Sequence, residues 1–440
     1  MWTNSSREDD VGHAADRLDA CRAPAPTIRS GFRVAMVIQR FRPDFGGQGV
    51  QVEELCRALA RRGIRPTVLA ATRGRPSNRE RCDGYEVRRL RADVFPGISR
   101  SSRLWNPLFG LRVFLALMRL PRMDVVHVHG LSDALYGALM YCRLRSIPLV
   151  FEMTLMGVDD PATALATSQL LARRRRAAYR ACDAYVAMSA AFLPSYAAAG
   201  LPPARLSLIP QGVDLERFRP RPEDARALVR AEFQIAPSDR VVVFVGSLIE
   251  RKGIDLLLAA WSKVHQQTRR AHLVLVGRNV FPPGSGDAGF LAEHMARLSA
   301  EAAATVHVAG LRDQPEAWMS AADVFAFPSR REGFGSVIIE AMACGLPCVV
   351  ATLDGITDLV FASPVDAASG GGWSGDGVVV PQDDVETLSA ALLRLIDDRA
   401  AAAAIGAAAR ARARAAFDMH RVIAPAYERL YGSLSGQASA

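Results

Sequence analysis

Short, nearly continuous apolar runs alternate along the chain with longer stretches in which apolar positions recur every three or four residues. Runs of the first kind read as strands buried on both faces, and stretches of the second kind as amphipathic helices. The pattern predicts strands at Phe32–Ile38, Pro66–Ala71, Met123–Val128, Pro148–Glu152 and Ala184–Met188. Between them it predicts helices at Val50–Arg62, Asp133–Arg145 and Leu165–Cys182. A break follows, crowded with Pro202, Pro203, Pro210, Gly212, Pro220 and Pro222. The alternation then restarts, with strands at Val241–Val245, His272–Gly277, Thr305–Val308, Val324–Phe327 and Pro347–Ala351. The predicted helices of this half are Ile254–His265, Ala288–Ala302 and Ser336–Cys344. Strand and helix in alternation imply a parallel sheet covered on both sides, so two doubly wound α/β domains are expected in tandem. Ligands in such sheets sit at the carboxyl ends of the strands, and two facing sheets make the cleft between them the expected site.

The ends differ in character. Residues 1–30 are polar and read as a disordered tail, and Ala367–Gly377 (AASGGGWSGDG) reads as a glycine-rich loop. Helical patterns close the chain at Asp384–Asp397, Ala400–Phe417 and Arg421–Leu434, before a frayed SGQASA end.

Composition changes this picture in two ways. With 50% hydrophobic and 22% charged residues over 440 positions, large cores can form and global disorder is excluded. The formal charge is +9, and Lys252 and Lys263 are the only lysines, so the basic residues are almost all arginine. That charge is uneven: residues 31–220 carry +14, residues 221–440 carry −4, and the first thirty carry −1. Two halves of opposite sign suggest two domains with different partners. No clustered basic face or recognisable nucleic-acid module accompanies the charge, so nucleic acid is not an expected partner. Seven dispersed cysteines fit a reduced compartment, the start is too polar for a signal peptide, and no apolar run reaches the length of a spanning helix. The cytoplasm is the expected location.

Four segments carry candidate chemistry. In Glu332-Gly-Phe-Gly-Ser-Val-Ile-Ile-Glu340, a strand end leads through a glycine-rich turn into a helix. Free N–H groups of Gly335, Ser336 and Val337 would point at an anion, and Gly333 and Gly335, either side of Phe334, would let backbone approach a phosphate. Glu340, one turn into the helix, could accept a ribose diol, with Glu332 near whatever the phosphate carries. The same spacing also fits a glycine turn with two solvated glutamates. In Gly246-Ser247-Leu-Ile-Glu-Arg251-Lys252-Gly253, Arg251 and Lys252 suit a diphosphate, or a solvated basic turn. Asp44-Phe-Gly46-Gly47-Gln-Gly49 is a glycine loop without the dinucleotide spacing, which disfavours a hydride-transfer enzyme. His127-Val-His129-Gly130 ends a strand; of its two histidines one is expected in the core, and His129 is the better cleft candidate. A two-histidine metal site is disfavoured, because neighbouring ligands at matching spacing are absent. The strand ends at Gly277 and at Gly310-Leu311 are weaker candidates for nucleotide contacts. Finally, Arg100–Arg122 mixes arginines with Trp105, Leu108, Phe109, Leu111, Phe114 and Leu115, and reads either as a core helix or as a surface for an anionic bilayer. Arg173–Arg176 with Arg180 shares that ambiguity.

These segments together resemble the family-4 retaining glycosyltransferases of the GT-B fold, from about residue 32 to 432. The E-x7-E element matches Glu332 and Glu340, and PSRREGFGSVIIEAMACGLPCVV matches the family wording at most positions. The resemblance implies sugar transfer from a nucleotide-diphosphate sugar (a UDP- or GDP-sugar) with retention at the anomeric carbon. It implies two Rossmann-like parallel-sheet domains facing across a cleft: an acceptor domain at 31–215, a nucleotide-sugar domain at 216–416, and a terminal helix at 417–440 that returns to the first. It places donor-sugar hydroxyls on Glu332, the ribose on Glu340 and the diphosphate on Lys252, and it has the Gly46-Gly47 loop close over the donor phosphate. Catalytic roles are thereby expected of Glu332, Lys252, Arg251 and His129, with no divalent metal and no cofactor. Two positions depart from the family: Ser247 stands where arginine is common, and Thr154 where a donor-contacting histidine is common. Thr154 could still donate one hydrogen bond on the acceptor side. The expected acceptor is a glycan or lipid-linked molecule in bacterial cell-surface polysaccharide or glycolipid synthesis, with the protein peripheral at the inner face of the membrane. The alternative is a degenerate subunit that binds or scaffolds an active partner.

Overall fold

Val34, Ala35, Met36 and Val37 are fully buried on consecutive positions, so both faces of their strand are covered. That strand, β1 (Arg33–Ile38), is the middle of the first sheet in the computed structural model, which describes residues 28–42, 46–72, 78–92, 106–165, 176–279, 289–362 and 372–436. The chain divides into two compact units, one of Met1–Gly212 with Met419–Ala440 and one of Val213–Asp418.

The first unit holds β1, β2 (Arg65–Thr72), β3 (Arg79–Cys82), β4 (Tyr85–Arg91), β5 (Val125–His129), β6 (Leu149–Met153), β7 (Ala184–Ala187) and β8 (Leu206–Leu208). They lie in the order β3-β4-β2-β1-β5-β6-β7-β8, parallel except for the β3–β4 hairpin. The strand order reverses between β1 and β5, so the loop after β1 and the end of β5 share the switch point where such sheets bind ligands. The helix Gly47–Arg61 follows β1 and buries Val52, Leu55, Cys56 and Leu59. The terminal segment packs into this same core through Met419, Val422, Ile423, Tyr427 and Tyr431. Arg62 and Glu428 pair at 2.6 Å beside it.

The helix Asn106–Arg119 decides part of the ambiguity over residues 100–122, of which 100–105 lie outside the described residues. Phe109, Val113 and Leu117 are fully buried at i, i+4 and i+8, the spacing of one helix face. That helix meets Ala134–Arg145 at a glycine crossing: a methyl on Gly137 would fall 1.9 Å from the carbonyl oxygen of Gly110. The outer side of the pair exposes Leu111, Leu115, Met140 and Leu144 beside exposed Arg119, Arg122, Arg143 and Arg145.

The second unit holds β9 (Arg240–Val245), β10 (Ala271–Val276), β11 (Val306–Gly310), β12 (Val324–Phe327), β13 (Cys348–Ala351), β14 (Gly372–Ser374) and β15 (Gly377–Val380). Their order is β11-β10-β9-β12-β13-β15-β14, parallel except for β14. The switch point lies between β9 and β12, which places the turn at Lys252 and the loop at Glu332 side by side. At the other end of the same strands Asp323 accepts from Arg226, Arg230, Arg240 and the Val241 N–H, closing the amino ends with one carboxylate.

Two expectations are corrected, and one hairpin lies where no element was expected. The pattern over Ala288–Ala302 is two short helices, Phe290–Met295 and Ala300–Ala304 (residue 288 lies outside the described residues). The second begins at Ser299, whose Oγ accepts the Ala302 N–H, a cap that competes with helix continuation. The end of the glycine-rich loop is a hairpin, β14–β15, held by Ser374 Oγ donating to Asp376 at 3.0 Å. The unread hairpin is β3–β4, whose arginine-rich sequences obscure the apolar alternation that strands usually show. The described part of Leu165–Cys182 is helical around residues 176–180, and Arg173–Arg175, the tail before Ile28, and Asp44 lie outside the described residues.

Candidate active site

In the second unit, β9 runs out through Gly246 and Ser247 into a single 3-10 turn, Glu250–Lys252, that ends at Gly253. Gly253 has φ +70°, and a methyl there would fall 1.9 Å from the Pro328 carbonyl oxygen. Only glycine fits, because both the backbone region and the approach of the next strand end forbid a side chain. This close approach delivers the basic turn to the loop after β12. The Arg330 N–H donates to the Arg251 carbonyl at 2.9 Å and joins the two segments through their backbones.

Three donors converge there on one oxygen. Glu332 Oε1 accepts from Lys252 Nζ at 2.5 Å, Ser329 Oγ at 2.7 Å and Arg251 Nη1 at 3.3 Å. No hydrogen bond among the described residues reaches Oε2, so the carboxylate is oriented and one oxygen is left to accept a hydroxyl. Lys252 Nζ also stands 5.0 Å over the Phe327 ring. Burial, opposed by Glu332, lowers the Lys252 pKa from its ordinary value.

The helix Ser336–Ala343 begins at Gly335, which has φ +80°. Its first N–H groups, on Ser336 and Val337, have no acceptor one turn back and give the loop an electropositive end. Phe334 is buried edge-on against Phe417 at 5.9 Å and anchors the turn. One turn into the helix Glu340 is buried, and no hydrogen bond among the described residues reaches its carboxylate. Burial raises its pKa to about 7, with Arg217 opposing and Glu316 adding to the rise. Arg217 is itself held by Glu316 at 3.0 Å.

The remaining candidates of this unit border the same strand ends. Gly277 is buried, donates its N–H to the Gly310 carbonyl at 2.8 Å, and would clash with Gly246 if it carried a side chain. Leu311 is exposed and Ser247 half-buried. Sequence reasoning missed Arg330, which clamps Asp255 with two bonds at 2.9 and 2.7 Å, Asp383 at 2.7 Å and the Glu250 carbonyl at 2.6 Å. Its only signal was adjacency to Glu332, since Asp255 lies 75 positions away.

In the first unit, Gly46 and Gly47 begin the helix after β1, and a methyl on either would meet nothing within 4 Å. Gly46 is in extended backbone, at φ −177°. The fold itself therefore places no demand for glycine at these two positions. Thr154, after β6, is already engaged: its hydroxyl donates to Asp159 at 2.5 Å and its N–H to the same carboxylate at 2.9 Å. The hydrogen bond expected of it toward an acceptor is thus made internally.

The histidine expectation needs correction on two counts. His127 and His129, two apart on β5, point to the same face, and their rings lie 4.0 Å apart between centroids. Both are buried, so neither is the outward member of a pair. A neighbouring ligand is also present: Glu152, opposite His129 on parallel β6, puts Oε2 3.3 Å from His129 Nδ1 and 3.5 Å from His127 Nε2. Tyr431 Oη lies 2.9 Å from His127 Nδ1, and Tyr427 Oη donates to Glu152 Oε2 at 2.8 Å. Burial, with His129 second, pushes the His127 pKa well below its ordinary value, so the ring is neutral.

The arrangement can be compared with known proteins. The family described as Glycosyl transferases group 1 matches residues 239–398, and Glycosyltransferase Family 4 matches residues 45–217. A D-inositol 3-phosphate glycosyltransferase of Kineococcus radiotolerans is 33% identical over 390 residues, covering 84% of this chain and 87% of that protein. Sucrose-phosphate synthase from Thermosynechococcus elongatus superposes with TM-score 0.71 at 23% identity, over 92% of this chain and 99% of its own. Anabaena Alr3699/HepE, solved in complex with UDP and glucose, superposes with TM-score 0.69 at 20% identity, over 91% of this chain and 99% of its own. Both superpositions show the fold. No helix among the described residues is long and apolar enough to cross a membrane. With a relative of this identity along most of its length and two parallel-sheet α/β units of the GT-B kind, the chain belongs to glycosyltransferase family 4 and transfers a sugar from a nucleotide sugar.

Proposed function

We propose that the enzyme transfers a hexosyl group, with retention, from a UDP- or GDP-sugar to a phosphate-bearing glycan or lipid-linked acceptor in cell-surface polysaccharide or glycolipid synthesis. The observation that carries this reading is the oriented Glu332 carboxylate, with one oxygen saturated by Lys252, Ser329 and Arg251 and the other open. In the proposed reaction Oε2 takes a donor-sugar hydroxyl and the buried Glu340 takes the ribose diol. Lys252, Arg251 and the N–H groups at Gly335, Ser336 and Val337 face the diphosphate between them. Negative charge that grows on the leaving diphosphate meets these fixed positive groups, while positive charge grows at the anomeric carbon. The leaving phosphate accepts the acceptor's proton on the same face, so the step needs no protein nucleophile and no divalent ion.

The acceptor half of the reading rests on charge. Residues 31–220 carry +14, which suits a phosphorylated acceptor. Exposed Leu111, Leu115, Met140 and Leu144 beside four exposed arginines suit the surface of an anionic bilayer that would present a lipid-linked one. The name of the Kineococcus relative favours a second reading, a small phosphorylated polyol as acceptor.

A donor panel of UDP-glucose, UDP-N-acetylglucosamine and GDP-mannose, crossed with a lipid extract and with inositol phosphates, tests the assignment. Nucleotide release dependent on one acceptor class, with an axial product linkage by NMR, is the expected result. Donor binding without release on any acceptor would favour the scaffolding role. Flotation with anionic vesicles at low and high salt tests the membrane contact, and binding that ignores salt would remove it.

A further inference from the structure

Among the described residues of the first unit, His127, His129 and Glu152 form a buried set of side chains to which the proposed transfer assigns no role. His127 and His129 come from β5 and Glu152 from β6, and one potential ligand atom of each lies within 4.8 Å of the others. His127 Nε2 and His129 Nδ1 both face Glu152, yet neither makes a hydrogen bond with proper geometry. Two buried ring nitrogens without a hydrogen-bond partner are costly, and a cation bound between them and the carboxylate would satisfy all three groups at once.

The spacing suits a small tetrahedral ion. Metal–ligand bonds of about 2.0–2.1 Å to nitrogen and oxygen place neighbouring tetrahedral ligands about 3.3 Å apart. The observed contacts to Glu152 Oε2 are 3.3 and 3.5 Å. The surroundings also match what ligating groups require. His127 uses its other nitrogen on Tyr431 Oη, which orients the ring, and Glu152 Oε2 accepts from Tyr427 Oη, which orients the carboxylate. Two imidazoles and a carboxylate favour zinc or a neighbouring transition ion over magnesium or calcium, which prefer all-oxygen ligands.

We propose that His127, His129 and Glu152 bind a divalent transition ion, zinc fitting best, that ties β5 and β6 to the terminal segment carrying Tyr427 and Tyr431. Its role is structural: the three ligands are buried and lie within one unit with the terminal segment. The site stands independently of the donor and acceptor assignments.

The test uses the full chain, stripped with chelator and titrated with Co²⁺, whose tetrahedral absorption reports the ligand field directly. About one equivalent of Co²⁺ is expected, displaced by Zn²⁺, with a rise in the melting temperature on loading. Glu152→Gln keeps the shape and an acceptor for Tyr427 while removing the charge; it should weaken Co²⁺ by about a hundredfold or more. Tyr431→Phe, which only loosens the orientation of His127, should weaken it by about tenfold. Mass-spectrometric metal analysis of protein grown with added zinc checks loading during folding. Folded wild-type protein that takes up neither ion by either route would overturn the proposal and leave a buried imidazole–carboxylate network without metal. So would Glu152→Gln protein that is folded by circular dichroism and binds as wild type does.

Discussion

Lys252 Nζ and Glu332 Oε1, eighty positions apart, meet at 2.5 Å where β9 and β12 end side by side. The ammonium holds the carboxylate that is proposed to hold the sugar, and its own charge is proposed to face the leaving diphosphate. Lys252→Ala should therefore lower kcat/KM for donor turnover by about 10²- to 10³-fold, the usual cost of one transition-state charge contact. Ser329 and Arg251 remain on Glu332 in that variant, so stability should fall by only about 1–3 kcal/mol. Nucleotide release and thermal melting, read together, check the prediction; full turnover by the variant would end the proposed role.

Glu340 should make both stability and donor binding depend on pH. Its native pKa of about 7, against the ordinary 4.5, means that the folded chain keeps a proton the unfolded chain has lost. Stability from this group is complete below about pH 4.5 and is lost as pH rises through about 7, at most about 3 kcal/mol in all. Glu340→Gln should then be stabilised relative to wild type at about pH 8 but not at about pH 4. Donor binding should run the other way, because the ionised carboxylate is the form proposed to accept both ribose hydroxyls. Nucleotide affinity should tighten through neutrality in wild type and stay flat in the variant, as calorimetric titrations at several pH values would show.

Two sets of glycines should respond differently to a methyl group. At Gly253 the added carbon would meet the Pro328 carbonyl at 1.9 Å in left-handed backbone, so Gly253→Ala should lose at least about 2 kcal/mol of stability. At Gly46 and Gly47 it would meet nothing within 4 Å. Gly47→Ala should melt with wild type yet weaken donor turnover, if that loop closes on the donor phosphate. A Gly47→Ala enzyme with unchanged kinetics would return the loop to an ordinary helix start.

How much was legible in the sequence follows from which forces act locally. The pattern predicts Val324–Phe327 at its observed limits because an apolar run between polar ends can only be an interior strand there. The hairpin β3–β4 escapes because Arg79, Arg81, Arg88, Arg89 and Arg91 interrupt its alternation, and Glu86 pairs with Arg79 and Arg88, and Glu80 with Arg89, only in the fold. The E-x7-E spacing pointed to the loop and helix of Glu332 and Glu340, since a strand end, a glycine turn and a helix start are contiguous. The buried Glu152 beside two histidines was invisible, because parallel pairing of β5 with β6 sets His129 against Glu152 and no spacing rule encodes that register. The same holds for Arg330 and Asp255.

Arg330 offers the sharpest separation of positioning from chemistry. It touches neither Glu332 nor Lys252 through its guanidinium, but its bonds to Asp255, Asp383 and the Glu250 carbonyl fix the turn that carries Lys252. Against burial, which raises it, the two bonds from Arg330 help hold the Asp255 carboxyl below its ordinary pKa, and the fork geometry cannot be copied by an ammonium. Arg330→Lys should consequently keep the charge yet lower kcat by about tenfold, with donor KM changed less than twofold, if Lys252 acts as proposed on the charge that develops on the leaving group. The stability cost should stay near 1–2 kcal/mol, since the guanidinium is partly exposed and screened. Asp255→Asn should reproduce the kcat loss, and the double variant should lose little beyond either single one, because both remove the same clamp. Additive losses in that cycle would mean that Arg330 acts on the donor directly rather than through the turn.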